Sequence, residues 1–173
     1  MNAIRYEEFC KDILQPLAWP VKQSVSVEVA HFASRVPIAD AIRTRTKGAE
    51  IGYRWGPIWS TAWFRIRGKL TADFRGHRAL LRFSSGTEAC VWVDGTAHAG
   101  LDPYHDTAPI LPLDWRSAQR ARGGEKIDLW IEAACNLPLG ATTFWWDQPE
   151  QRARWNEAKP GRLECAEIVA IDE

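Results

Sequence analysis

The stretch Gly52-Tyr53-Arg54-Trp55-Gly56-Pro57-Ile58-Trp59-Ser60-Thr61-Ala62-Trp63-Phe64-Arg65-Ile66-Arg67-Gly68 constrains the rest of the chain most strongly. Trp55, Trp59 and Trp63 recur every four residues. That spacing fits one face of a helix and, because it is even, also one face of a strand. Gly56 and Pro57 decide against the helix: proline removes an amide donor, glycine loosens the backbone, and together they mark a turn. Beyond them Ala62, Phe64, Ile66 and Leu70 alternate with Trp63, Arg65, Arg67 and Lys69, the pattern of a half-buried strand. An aromatic loop therefore leads into a strand. Burying one indole removes about 200 Å² from water, roughly 5 kcal/mol gross at about 25 cal/mol per Å². Such a segment can anchor a small domain. Trp63 is expected in the core. Trp59 fits the core or an exposed platform equally well.

A chain of 173 residues is one domain, taken as 1–173, with volume for a real core. Lys and Arg (22) balance Asp and Glu (22), so no strong field favours nucleic acid or an anionic membrane. Ten Trp, ten Pro and twelve Gly suggest short strands joined by many turns. Cys10, Cys90, Cys135 and Cys165 form no C-x-x-C pair, which argues against a zinc ribbon or a redox motif. Cys90 and Cys165 lie in apolar runs and are expected to be buried. No secretory signal or membrane-spanning run is visible, so a cytoplasmic location with reduced thiols is expected.

Along the chain, Tyr6, Phe9, Cys10, Ile13, Leu14 and Leu17 share one stripe, which predicts an amphipathic helix over about 2–15, stopped near Pro16. It should pack on something larger than itself. Ser24 to Phe32 alternates as a strand. Ala33 to Lys47 reads as a surface loop with one helical turn around Ile38 to Arg43. Arg78 to Phe83 is a strand. Glu88 to Val93, Asp94-Gly95 and Thr96 to Leu101 give the strongest hairpin signal, because Asp-Gly accepts the positive φ angles of a type I′ turn. Asp102 to Asp114 is irregular. Lys126 to Ala133 and Arg162 to Ile171 complete about seven or eight short strands. No helix of crossover length alternates with them, so the expected fold is mainly β, an antiparallel β-sandwich with a short N-terminal helix.

No nucleotide, metalloprotease or nucleophile-elbow motif occurs. Asp102, His105 and Asp106 form the tightest polar cluster. They could bind a cation or act as an acid–base set, and a solvated loop accounts for them as well. No carboxylate pair is singled out by its setting, so residue chemistry alone does not make this chain a catalyst. Binding fits better. Trp59, Asn136, Trp145, Trp146 and Asp147 combine flat aromatic faces with polar groups, which suits sugar rings and their hydroxyls. The same residues could instead cover a sandwich edge or dock another domain.

Several ordered blocks resemble one family. Trp55-Gly56-Pro57-Ile58-Trp59-Ser60-Thr61-Ala62-Trp63-Phe64-Arg65 is similar to the G-P-x-W-x-T-x-W-F-R segment in the N-terminal domain of glycoside hydrolase family 38 α-mannosidases of the cytosolic and vacuolar type. Glu88 to Gly95 resembles that domain's E-x-x-V-W-x-D-G hairpin, and Ile131 to Asn136 its V-E-x-A-C-N segment. Leu163 to Ile168 resembles the stretch leading toward the catalytic barrel.

The resemblance implies a jelly-roll sandwich of galactose-binding-domain type, preceding a zinc-dependent retaining α-mannosidase barrel. The family's zinc ligands and nucleophile lie in that barrel, and its H-x-H-x-D-x-x-W-type metal segment has no counterpart here. No catalytic or metal-binding residue is carried over, and no cofactor is expected in this chain. The chain is expected to be a fragment of a longer enzyme, in preference to a stand-alone relative that has lost the catalytic part: a non-catalytic accessory domain whose partner is the catalytic domain and which supports assembly, with a homo-oligomer possible. The alternative is a module that binds α-mannosides directly through exposed Trp residues.

Overall fold

The computed structural model describes residues 8–110, 120–136 and 161–171. Near its start a π-helical turn, Cys10–Leu14, runs directly into helix α1, Gln15–Ala18. The helix therefore passes Pro16, where a stop was expected, and ends at Ala18. Pro16 is the second residue of α1, directly after the π-helical turn, where the regular i→i−4 ladder that a proline interrupts is already broken. Residues 2–7 of the expected helix lie outside the described residues. Phe9, Ile13, Leu14 and Leu17 are 50%, 49%, 44% and 74% exposed, so the apolar stripe is largely uncovered.

Among the described residues twelve strands follow: β1 (Lys22–Ser24), β2 (Ser26–Phe32), β3 (Lys47–Gly48), β4 (Arg54–Trp55), β5 (Thr61–Lys69), β6 (Arg78–Ser84), β7 (Ala89–Val93), β8 (Thr96–Leu101), β9 (Thr107–Pro109), β10 (Lys126–Ala134), β11 (Gly161–Arg162) and β12 (Cys165–Ile171). Helix α2, Ile38–Ala41, lies between β2 and β3. It is the helical turn the sequence predicts there. One sheet has the order β1-β12-β6-β9, the other β3-β2-β5-β10-β7-β8, and β11 pairs with β4. All of these pairs are antiparallel.

The core lies between the two larger sheets. Phe64 on β5 meets Phe83 on β6 edge to face, with centroids 5.3 Å apart. Ile66, Leu81, Val91, Ile131 and Ile168 fill the same layer. Each comes from the apolar parity of its strand, so alternation alone sets which side faces inward. The hairpin between β7 and β8 turns at Asp94 (φ 47°) and Gly95 (φ 78°), the two positive angles a type I′ turn needs.

Three expectations need correction. The segment from Asp102 to Asp114 contains β9, an edge strand that tolerates Pro109 because one side of it needs no donor. The expected last strand is interrupted at Leu163 and Glu164: β11 turns aside to pair with β4, and only β12 joins the sheet. Cys90 and Cys165 are half-buried, whereas Cys135 is the buried thiol. Strand parity explains the pair, since Cys90 alternates with the core residue Val91 and Cys165 shares its parity with Glu167.

Beyond α1, Trp19 lies over the Arg82 guanidinium at 4.4 Å and beside Lys22 at 5.2 Å. Arg82 alternates with core residues Leu81 and Phe83, so this contact caps the outer face of the four-stranded sheet. There Arg82 donates to Asp106 Oδ2 (2.8 Å) and to Glu167 Oε1 (2.9 Å).

Candidate functional site

The outer face of the six-stranded sheet carries the side chains that alternate with the core. Register places Trp63 on β5 beside Glu132 on β10, and Glu132 beside Cys90 on β7. The next row sets Arg65 beside Trp130, and Trp130 beside Trp92. Arg65 holds Asp128 through two hydrogen bonds of 2.8 and 2.6 Å and lies 5.4 Å from the Trp130 ring. The segment from Arg35 to Ile38 borders this face together with Trp63 and Trp92. Trp63 is thus fully buried, as expected of a core residue, yet it is buried on the outer face rather than between the sheets.

Trp59 reaches the same face from the turn before β5. Its amide donates to Cys135 O (2.8 Å), and the Cys135 amide donates to Ser60 O (2.9 Å). Ser60 Oγ in turn donates to Pro57 O (2.6 Å). These bonds strap the turn to the end of β10. They hold Trp59 in the left-handed region at φ 67°, a costly conformation for a bulky residue. The residue is 61% exposed, so of the two placements expected for Trp59 the surface is the one observed.

Two adjoining cavities result. The first, about 360 Å³, is lined by Arg35, Trp59, Thr61, Glu88, Cys90 and Glu132, among others. The second, about 320 Å³, shares Arg35 and Glu132 with the first and adds Trp63 and Trp92. Glu132 is 12% exposed and accepts a 2.7 Å hydrogen bond from Nε of Arg35, which is itself 76% exposed. That bond, with the charge behind it, holds the guanidinium pKa above its ordinary value. Burial pushes the Cys90 thiol up, and the Glu132 charge adds to it. The Trp63 and Trp92 rings tilt together at 5.7 Å, and neither indole N–H has a hydrogen-bond partner among the described residues.

Asn136 braces this site from behind. Its Nδ2 donates to Glu88 Oε2 (2.6 Å), and its Oδ1 accepts from the Glu88 amide (3.2 Å). Of the expected binding residues, then, Trp59 lines the cleft and Asn136 positions a residue that does. Trp145, Trp146 and Asp147 lie outside the described residues. Arg35, Glu88, Glu132, Trp63 and Trp92 were not singled out in the sequence as one site. Parity alone put Glu132 and Trp92 on outward faces; nothing local showed that their strands are neighbours.

The cluster of Asp102, His105 and Asp106 divides. Asp102 accepts from the Tyr104 and His105 amides and from His105 Nδ1, closing a turn, whereas Asp106 pairs with Arg82. Among the described residues no group of three His, Cys, Asp or Glu side chains could hold a metal ion. The zinc implied by the resemblance has no ligand set among them.

Comparison with known proteins gives a consistent picture. The family model described as the jelly-roll domain of Ams1-like α-mannosidases matches residues 19–169. Alpha-mannosidase G of Dictyostelium discoideum is 27% identical over 118 residues, covering 68% of this chain and 11% of that protein. Alpha-mannosidase 2C1 of Mus musculus is 31% identical over 120 residues, again 68% of this chain and 11% of the relative. The chain therefore spans about a tenth of the length of the curated relatives it matches. Among solved structures, Ruminococcus gnavus β-glucuronidase superposes with a TM-score of 0.52 at 15% identity, covering 88% of this chain and 29% of that one. That likeness concerns the fold alone.

Proposed function

Because the chain belongs to the Ams1-like family as an α-mannosidase jelly-roll domain, we propose that it is a non-catalytic accessory domain of a longer α-mannosidase. It docks on the catalytic domain and supports assembly of the enzyme. The observation that carries this is the uncovered stripe of Phe9, Ile13, Leu14 and Leu17. Covering what remains exposed of each is worth about 1 kcal/mol, a few kcal/mol in all. Such a stripe on a marginal helix needs a larger body to pack against. The four free cysteines suit a reducing compartment, and we place the enzyme in the cytosol.

Two experiments test the proposal. The isolated chain, assayed with zinc on an aryl α-mannoside, should show no turnover; turnover abolished by a mutation within it would overturn the non-catalytic reading. In the full-length polypeptide, Leu17→Glu should loosen the domain and leave its own fold intact. Unchanged proteolytic resistance would contradict the docking role.

A second reading, direct binding of carbohydrate, is favoured by Trp59 standing exposed on the wall of a cleft that holds two carboxylates.

A further inference from the structure

Trp63 is fully buried, yet its indole N–H has no acceptor among the described residues, and Trp92 beside it has none either. A buried donor without a partner is unfavourable, so each exception calls for an explanation. Both rings line the second cavity, which adjoins the one walled by Trp59. One trough thus contains a flat apolar face (Trp59), two acceptors (Glu88 and Glu132) and the Arg35 donor, with the two unpartnered indole N–H groups buried in its wall.

That combination selects a ligand. An anion would face two carboxylates, and a cation would face Arg35. An apolar peptide would leave both carboxylates without new donors. A neutral polyol suits the open groups: its hydroxyls donate to Glu88 and Glu132 and accept from the guanidinium, and its C–H face stacks on Trp59. Each cavity is near the lower limit of about 300 Å³ for small-ligand sites, which suits one pyranose ring apiece.

We infer that the trough between Trp59 and the Trp63–Trp92 pair is a carbohydrate subsite for a neutral pyranoside, with Glu88, Glu132 and Arg35 fixing its hydroxyls. This deepens the carbohydrate-binding reading of the cleft and rests on it. It is independent of the docking role. Trp19 caps the outer face of the four-stranded sheet, whereas the trough lies on the outer face of the six-stranded one, the opposite side of the sandwich.

The test uses the intact 173-residue chain, isotope-labelled at its tryptophans, titrated with methyl α-mannoside and with an α-linked mannobiose. The Trp63 and Trp92 indole N–H resonances should shift saturably, with a Kd on the order of 1 mM for the monosaccharide and tighter for the disaccharide. Trp59→Gly removes the stacking face at a position whose φ glycine accepts, so the fold should persist while affinity falls at least about tenfold. Glu132→Gln should weaken binding several-fold. No saturable shift up to about 100 mM sugar, or binding indifferent to Trp59→Gly, would overturn the subsite. The same two resonances shifting in the full-length polypeptide without sugar, and blocking its binding, would also overturn it. Exposure of the Phe9–Leu17 stripe in the full-length polypeptide reads the docking role separately, so failure of one leaves the other measurable.

Discussion

Gly161 lies directly against the indole of Trp55. The two are register partners in the β4–β11 pair, and a Cβ at Gly161 would overlap the Trp55 ring. Trp55 is 1% exposed and meets Phe64 edge to face at 6.1 Å, so the glycine opens the space in which a core tryptophan sits. Gly161→Ala should therefore destabilise the domain by about 1–3 kcal/mol, as overpacking does. Urea unfolding measures it; a change under about 0.5 kcal/mol would show that the ring moves aside freely.

Trp59 presents the reverse case. Its left-handed φ of 67° costs a bulky residue about 1 kcal/mol or more, and the residue is 61% exposed. Trp59→Gly should leave the stability unchanged or raise it by up to about 1 kcal/mol. A marked loss would mean the ring is a structural element rather than a surface platform.

The Cys165 thiol is pushed up to about 11, chiefly by burial, with Arg82 opposing the rise. At pH 8 roughly one thiolate in a thousand would be present, and the thiolate is the reactive form. Cys165 and the buried Cys135 should resist a thiol reagent at pH 8 and react only after unfolding. Rapid labelling of Cys165 in the folded chain would contradict this environment.

Glu28 accepts a 2.8 Å hydrogen bond from Thr46 and pairs with Arg67. The Thr46 bond, with Arg67 behind it, holds its pKa below 4.5, and the His105 bond holds Asp102 below 3.8. A carboxylate depressed on folding contributes stability that is present above its unfolded pKa and lost as pH falls through the folded one. These two groups should therefore leave stability flat above about pH 5 and lower it only on further acidification. Thr46→Val should raise the Glu28 pKa toward 4.5 in a carboxyl titration followed by NMR. An unmoved titration would show that the hydroxyl is not the cause.

Much of the fold was legible because alternation is local. The parity of Ala62, Phe64 and Ile66 on β5, and of Ile127, Leu129 and Ile131 on β10, named the inward face of both central strands. Asp94-Gly95 named the hairpin. The short strands β1, β3, β4, β9 and β11 were not legible, since two or three residues carry no period and their pairing comes from distant segments. The site shows the same division. Trp59 stood out because Trp55, Trp59 and Trp63 recur every four residues around the turn residues Gly56 and Pro57. Glu132, Trp63 and Trp92 looked like ordinary strand residues until register brought them together from three strands, and Glu88 joins them from just before β7. Trp63 illustrates the limit: parity puts it on the outer face, and the segment from Arg35 to Ile38 that borders it there has no clean period.

The central claim is that this jelly-roll domain docks through its N-terminal helix on the remainder of an α-mannosidase. Hydrogen exchange at residues 8–18, compared between the isolated chain and the full-length polypeptide, tests it most directly. Docking predicts fast exchange in isolation and at least about hundredfold protection in the full-length protein. Equal exchange in both would show that the stripe of Phe9, Ile13, Leu14 and Leu17 meets nothing there, and the account would fail.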